Sequence, residues 1–185
     1  MICADRNIEF HAQYGHHFKI RTPKIGRDLC YVKNTADLVI AATGNELFRL
    51  NLEEGRFKSS WNLGALGDDN NISTFAGNYQ RSSNQEDTEE GNFNMGSNCV
   101  GVGEQLGLVF TGCDDGRLRV FDSRQQAMVS DFMVDEGERI MSLNCDRTLE
   151  IVTGGSEGTV KIFDLRYSGA TNVIRHPYML PIHTI

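Results

Sequence analysis

The sequence predicts an all-β fold built from repeated hairpins. Residues 111–124 (TGCDDGRLRVFDSR) and 153–166 (TGGSEGTVKIFDLR) align at a constant offset of 42, with six identities in fourteen positions. Each copy contains a β-rich run, a glycine turn and a second run that alternates polar and apolar residues, which is the pattern of half-buried strands in a hairpin. No segment shows a convincing helical periodicity of 3.6 residues, so no helix is predicted.

The turns of the two copies support this assignment. They read Asp-Asp-Gly and Ser-Glu-Gly, ending at Gly116 and Gly158, and glycine adopts positive φ without steric cost. A third copy at 38–52 has a tighter turn, and its Asn51 lies 71 residues before Asp122, which is 29 more than one period. A polar stretch that ends near Ser97 accounts for the excess.

Four short strands in a period of 40 to 45 residues are typical of β-propeller blades. The pairs Phe121-Asp122 and Phe163-Asp164 stand where WD40 repeats usually carry Trp-Asp. The sequence therefore predicts one domain over residues 1–185. It is a partial WD40-type propeller with about three full four-stranded blades, the tail of a blade before them and the first strand of another after them. A seven-bladed ring needs about 290 residues at this period, so we expect the chain to be part of a larger propeller. The predicted strands are 7–11, 16–21, 28–32, 37–43, 46–52, 56–61, 98–102, 107–111, 117–121, 127–133, 139–144, 149–153, 159–163, 171–175 and 181–185.

Charge is distributed unevenly along the chain. Residues 64–97 carry six acids against one arginine, a local charge of −5. The whole chain has a net charge of −7, so most of the excess negative charge lies in this segment. This stretch is poor in apolar residues and cannot bury enough surface to offset its ordering entropy, so it is predicted to be a flexible acidic insertion between blades. The acidic pI of about 5.2 argues against a free-standing, nonspecific nucleic-acid binder.

Several functional classes lack support in the sequence. No run of 18 apolar residues predicts a membrane span, and the first residues do not resemble a secretory signal. The five cysteines form no Cys-x-x-Cys pair, and the histidines have no ligands at metal-binding spacing. The glycine-rich run 101–107 joins two predicted strands, which excludes a dinucleotide loop. We therefore expect no enzyme activity, catalytic residue, cofactor, metal or small-molecule substrate, and Trp61 is expected to fill the core.

Two runs carry a more specific resemblance than the repeats. Residues 21–28 (RTPKIGRD) and 46–56 (ELFRLNLEEGR) resemble the nucleolar protein 10 family, and the similarity extends over most of the chain outside residues 64–97. These are WD-repeat proteins of the small-subunit processome. The resemblance implies a non-catalytic scaffold in the nucleolus of the nucleus that supports pre-rRNA processing and small-subunit maturation. Its partners would be other processome proteins and the pre-rRNA/U3 particle, with no membrane association.

A basic run falls on the first of these motifs. Lys19, Arg21, Lys24 and Arg27, followed by Lys33, face a single acid, Asp28. Such cations can contact RNA phosphate or an acidic protein tail, and arginine offers a bidentate fork. The first four are therefore the candidate partner or RNA contacts. The alternative is a solvated strand edge whose lysines guard against edge pairing.

The tandem F-D-x-R strings leave a second function open. Arg124 and Arg166 resemble the W-D-x-R arginines with which WD40 substrate receptors of cullin-type ubiquitin ligases dock on their adaptor. The alternative is an ion pair within the blade, with Asp122 and Asp164 accepting backbone N–H bonds after the third strand. The residues assigned to the repeat structure are Gly116, Phe121, Asp122, Arg124, Gly158, Phe163, Asp164 and Arg166.

Overall fold

The computed structural model describes residues 2–4, 6–64, 96–125, 127–145, 150–167 and 169–185. These residues form sixteen strands and no helix, and every strand pair is antiparallel. The predicted all-β fold is therefore confirmed. In the part of the chain that is described, no helix is long and apolar enough to cross a membrane.

The strands form four sheets that follow one another along the chain, and we number them as blades 1 to 4. Blade 1 contains β1 (Ile2–Ala4), β2 (Asn7–Ala12) and β3 (Gly15–Arg21). Blade 2 contains β4 (Gly26–Val32), β5 (Asp37–Ala42), β6 (Glu46–Asn51), β7 (Arg56–Phe57) and β8 (Trp61–Asn62). Blade 3 contains β9 (Ser97–Gly103), β10 (Leu108–Cys113), β11 (Arg117–Asp122) and β12 (Met128–Met133). Blade 4 contains β13 (Ile140–Cys145), β14 (Glu150–Gly155), β15 (Thr159–Asp164) and β16 (Ala170–Arg175).

The three complete blades share one register. Asp37 pairs with Asn51, Leu108 with Asp122, and Glu150 with Asp164. Corresponding residues of blades 2 and 3 are thus 71 apart, and those of blades 3 and 4 are 42 apart, as the sequence alignment predicts. The excess lies between β8 and β9, which residues 63–96 connect, whereas residues 134–139 suffice to connect β12 to β13.

The predicted insertion can be compared with the structure only at its edges. Residues 65–95 of the range 64–97 lie outside the described residues, so its flexibility stays a prediction. Ser97 is fully buried and begins β9, which places the end of the insertion before this residue.

The hydrophobic core lies between the blades. Successive residues of β5 point to opposite faces, so Leu38 and Ile40 pack against blade 1 while Val39 and Ala41 pack against blade 3. Every residue of β5 is consequently buried, and residues 38–42 read as a continuous apolar run. Trp61 is 1% exposed and fills the core between blades 2 and 3, as expected.

Two strand predictions differ from the structure, and one strand was not predicted. The prediction of a strand at 181–185 is wrong: this segment contacts blade 4 through Ile182, which receives a bond from Ser142 Oγ at 2.7 Å and donates to Gly155 O at 3.1 Å. No described strand forms a backbone ladder with it. The single strand at 56–61 is divided into β7 and β8, and β1 is an additional strand, because three residues carry too short a pattern to predict one.

Candidate interaction surface

The predicted basic run extends from β3 to β4 and carries its cations in different settings. Lys19 and Arg21 lie on the outermost strand of blade 1, paired with Glu9 and Asn7 of β2. Lys19 Nζ lies 3.0 Å from Glu9 Oε1, and this hydrogen bond from Lys19 holds the pKa of Glu9 below its ordinary value. The charge of Lys19 is therefore partly neutralised within its own sheet.

Arg27 forms a contact between blades. A bulge in β4 directs its side chain toward blade 3, where Arg27 Nη1 lies 2.9 Å from Asp114 Oδ2 and also contacts Asn98. Asn98 Nδ2 in turn donates to Asp114 Oδ1 at 2.9 Å and to the carbonyl of Ile140 in blade 4 at 3.0 Å. Arg27 thus has a structural role, because it helps to join three successive blades. Lys33 likewise reaches blade 3, with its Nζ 2.6 Å from Glu104 Oε1.

Arg21 and Lys24 differ from these residues, since neither forms an ion pair with a described carboxylate. A third cation, Arg6, joins them in space: its carbonyl accepts from Thr22 N at 2.8 Å, and its guanidinium bonds to the carbonyl of Pro23. We call Arg6, Arg21 and Lys24 the cationic corner. No motif indicates Arg6, because it lies far from the run in sequence. Only the register of the β2–β3 hairpin could have placed it there.

The two F-D-x-R turns have matching geometry. Asp122 Oδ1 accepts from Arg124 N at 2.9 Å and Nε at 3.0 Å, and Asp164 Oδ1 accepts from Arg166 N and Nε, both at 2.9 Å. These bonds from the neighbouring arginine hold the pKa of each aspartate below its ordinary value. Each guanidinium is paired within its own blade, although the arginine side chains remain 73% and 66% exposed.

A buried polar network ties blade 2 to blade 3. Asp37 is 1% exposed and accepts from Arg49 Nη2 at 2.8 Å, Asn51 Nδ2 at 2.9 Å and Lys58 Nζ at 2.8 Å. Burial raises the pKa of Asp37, but the bonds from Lys58, Asn51 and Arg49 outweigh it and leave the pKa below its ordinary value. Arg49 Nη2 also donates to the carbonyl of Ser123 in blade 3 at 3.2 Å. No sequence motif indicates this network, since its members in blade 2 are spread over 22 residues without a pattern and Ser123 lies 74 residues beyond Arg49.

Several other titratable groups have raised pKa values because they are buried in or between the blades. Glu138 lies between β12 and β13, and burial, with Asp135 and Glu157 nearby, raises its pKa. Burial also raises the pKa of Cys113 to about 11 and that of Cys145 to about 12, so both thiols stay protonated at neutral pH. Within the described ranges, no group of three or more His, Cys, Asp or Glu could hold a metal ion.

Comparison with known proteins identifies a family that matches the whole chain. A β-propeller family described as "Nucleolar protein 10-like, N-terminal domain" matches residues 1–185. The chain is 31% identical over 188 residues to nucleolar protein 10 of Danio rerio, covering 98% of this chain and 23% of the relative. It is 32% identical over 173 residues to ribosome biogenesis protein ENP2 of Chaetomium thermophilum, covering 88% of this chain and 24% of the relative. The chain thus spans about a quarter of the length of these relatives.

A solved structure shares the fold at low sequence identity. The crystal structure of Chaetomium thermophilum Raptor matches with a TM-score of 0.69 and 12% identity, covering 94% of this chain and 15% of that one. At this identity the similarity concerns the fold alone.

Proposed function

The chain belongs to the nucleolar protein 10-like family, and from this membership we propose that it acts as a non-catalytic scaffold of the nucleolar small-subunit processome. In this role it supports pre-rRNA processing and maturation of the small ribosomal subunit. The observation that carries the proposal is the family match over residues 1–185. The names of the relatives, nucleolar protein 10 and ribosome biogenesis protein ENP2, support a role in ribosome biogenesis.

The geometry favours a scaffold because ionisable side chains are used to join blades. Asp37 is bonded by three side chains, and Arg27 reaches Asp114 of the next blade. Such networks fix neighbouring sheets relative to one another. A rigid array of blades presents its loops and outer strands at fixed spacing, which suits a protein that holds several partners.

The cationic corner is the part of the basic run that we propose for contact with RNA. Arg6, Arg21 and Lys24 form no ion pair with a described carboxylate, so binding phosphate does not require breaking one. Lys19 and Arg27 would first have to break their ion pairs with Glu9 and Asp114, so they are weaker candidates for RNA contacts. The binding free energy of such phosphate contacts comes from charge neutralisation and counterion release.

The experiment that tests the proposed function is affinity purification of the tagged gene product, expressed from its own locus. Recovery of processome proteins together with U3 RNA is the expected result. Recovery of a cullin-ligase adaptor without U3 RNA would contradict it and would favour the alternative based on Arg124 and Arg166. A tagged unrelated WD40 protein of similar abundance is the control for nonspecific recovery of ribosomal particles.

A further inference from the structure

Two equivalent boundaries between blades are packed differently. Trp61 of β8 pairs with Leu47, and Phe132 of β12 pairs with Leu118. Leu47 and Leu118 are 71 residues apart, which is the spacing of corresponding residues in blades 2 and 3. Trp61 and Phe132 therefore occupy the same position on the face that each blade turns toward the next.

At the boundary between blades 2 and 3 this position is completely filled. Trp61 is 1% exposed, and its ring stacks on Phe121 with centroids 5.2 Å apart and planes 18° apart. Its Nε1 donates to the carbonyl of Gln125 at 2.9 Å. Met128 packs against the same core. The indole ring thus packs against apolar side chains, and its N–H has a hydrogen-bond acceptor.

At the boundary between blades 3 and 4 the corresponding space is open. Phe132 replaces the tryptophan, and Ala170, which pairs with Phe163 as Met128 pairs with Phe121, replaces the methionine. These smaller side chains leave a groove of about 350 Å³. Among the described aromatic residues, Phe132 and Phe163 make no ring contact with each other, and both are only partly buried. The remaining apolar side chains that line the groove include Leu118, Met133, Ile151 and Val173.

The hydrogen-bond acceptor is retained at the open boundary. Tyr167 N donates to Asp164 O at 2.9 Å, as Gln125 N donates to Asp122 O at 3.1 Å, so the two turns are equivalent. The carbonyl of Tyr167 therefore corresponds to the carbonyl that receives the Trp61 N–H. No group among the described residues donates to it.

We propose that this groove binds a tryptophan side chain of a partner protein. The indole lies between Phe132 and Phe163, and its N–H donates to the carbonyl of Tyr167, as Trp61 does to Gln125 at the preceding boundary. Tryptophan is among the commonest anchor residues of protein interfaces because a buried ring contributes a large apolar area. This interaction goes beyond the proposed function and does not depend on the cationic corner.

The charges around the groove favour a neutral aromatic occupant. Three ionised side chains line the groove, and each has an ion-pair partner: Lys161 with Asp135, Asp164 with Arg166, and Asp131 with Arg117. None of them is left unpaired to attract a cation or a phosphate. The single tryptophan of these 185 residues, Trp61, is buried and is not available to fill the groove of a second copy.

The test uses the whole chain and N-acetyl-L-tryptophanamide as probe, with binding followed by ligand-observed saturation-transfer NMR. We expect binding by the wild type, and about two- to tenfold weaker binding of the 1-methylindole analogue, which lacks the N–H donor. Phe132→Trp and Ala170→Met restore the residues of the closed boundary and should each abolish the signal. Tyr14→Ala, which changes a 96% exposed side chain on blade 1, is the control and should leave it unchanged.

Each opposite result overturns a stated part of the proposal. An equal signal in the wild type and in Ala170→Met would place the probe outside the groove, and this variant serves if Phe132→Trp fails to fold. Equal affinity for the 1-methyl analogue would remove the Tyr167 carbonyl as acceptor. Self-association that the probe disperses and Tyr14→Ala abolishes would make a second copy the occupant.

Discussion

The guanidinium carbon of Arg49 lies 4.3 Å from the ring centroid of Trp61, and both side chains are nearly excluded from solvent. The same guanidinium bonds to Asp37 within blade 2 and to Ser123 in blade 3. A cation placed over an aromatic face is stabilised most where water is excluded. The boundary between blades 2 and 3 therefore combines a stacked aromatic core with a buried charge network.

Replacing Asp37 should be strongly destabilising. Asp37→Ala removes the carboxylate that Arg49 and Lys58 share, and breaking a buried ion pair in this way costs about 3–5 kcal/mol because a charge is left without a partner. The free energy of unfolding, measured by urea denaturation, checks this. Glu9→Ala, at the exposed pair with Lys19, is the control and should change it little. Equal effects of the two variants would contradict a special role for the network.

The contribution of Asp37 should also depend on pH in a defined direction. Its folded-state pKa is held below the ordinary 3.8, so the stabilisation is fully present above pH 3.8 and is lost as the pH falls through the lower folded value. The difference in unfolding free energy between wild type and Asp37→Asn should therefore be constant near neutral pH and shrink in the acid range. Denaturation curves from neutral pH into the acid range below the folded pKa measure it. A difference that stays constant throughout would show that Asp37 ionisation is not linked to folding.

The cationic corner and Arg27 should respond differently to alanine substitution. Arg21→Ala with Lys24→Ala should weaken association with pre-ribosomal particles and lower its salt dependence, by a slope of about 0.7–0.9 for each phosphate that is no longer neutralised. Its stability should remain within about 0.5 kcal/mol of wild type, as for most surface changes. Arg27→Ala should instead lower stability, because Asp114 loses its partner in the neighbouring blade. Sedimentation with pre-ribosomes over a salt series checks the binding effect, and urea denaturation checks the stability. Wild-type sedimentation of the Arg21/Lys24 variant would remove these residues as a contact.

Local patterns predicted the blades because strand pairing in this fold is largely between sequence neighbours. The offset of 42 places Asp122 and Asp164 at equivalent ladder positions, and the offset of 71 does the same for Asn51. Turn glycines and alternating apolar residues are visible in a single sequence. Prediction fails where the ladder is absent or short. Residues 181–185 have a strand-like sequence but form no ladder, and β1 has a ladder of only three residue pairs.

The candidate site was predicted less completely, because contacts between blades join distant residues. Arg27 and Asp114 are separated by 87 residues, and no sequence pattern indicates that this arginine is already paired. Arg6 enters the cationic corner only through the β2–β3 register. The groove beside Ala170 becomes apparent only when equivalent blade positions are compared in three dimensions.

The F-D-x-R arginines provide a test between the two functions. Arg124 and Arg166 are each bonded to the aspartate of their own turn, so replacing both by Ala should leave association with pre-ribosomal particles unchanged. The ligase-receptor alternative requires that the same variant lose its adaptor. Quantitative mass spectrometry of material purified with the wild-type and double-variant proteins measures both partners. Loss of processome proteins from the double variant would contradict a purely structural role of Arg124 and Arg166 within their own blades.

Two glycines with positive φ should differ sharply when changed to alanine. Gly116 (φ +74°) and Gly137 (φ +90°) both adopt the left-handed region, where a Cβ costs roughly 1–2 kcal/mol. A Cβ at Gly137 would have no atom within 4 Å, whereas one at Gly116 would overlap the carbonyl oxygen of Asp135 and lie 2.6 Å from that of Glu138.

Gly116→Ala must therefore displace the backbone of residues 134–139, which connects β12 to β13. This connection is held by the bonds that Val134 N and Asp135 N donate to Gly116 O, at 3.0 and 3.2 Å. We expect Gly116→Ala to lower the free energy of unfolding by roughly 3 kcal/mol or more, and Gly137→Ala by only the backbone term. Urea denaturation of the two variants measures the difference. Similar losses of unfolding free energy in the two variants would mean that residues 134–139 can move to accept the new Cβ. The close packing of the Gly116 turn against this connection would then not help to join blades 3 and 4.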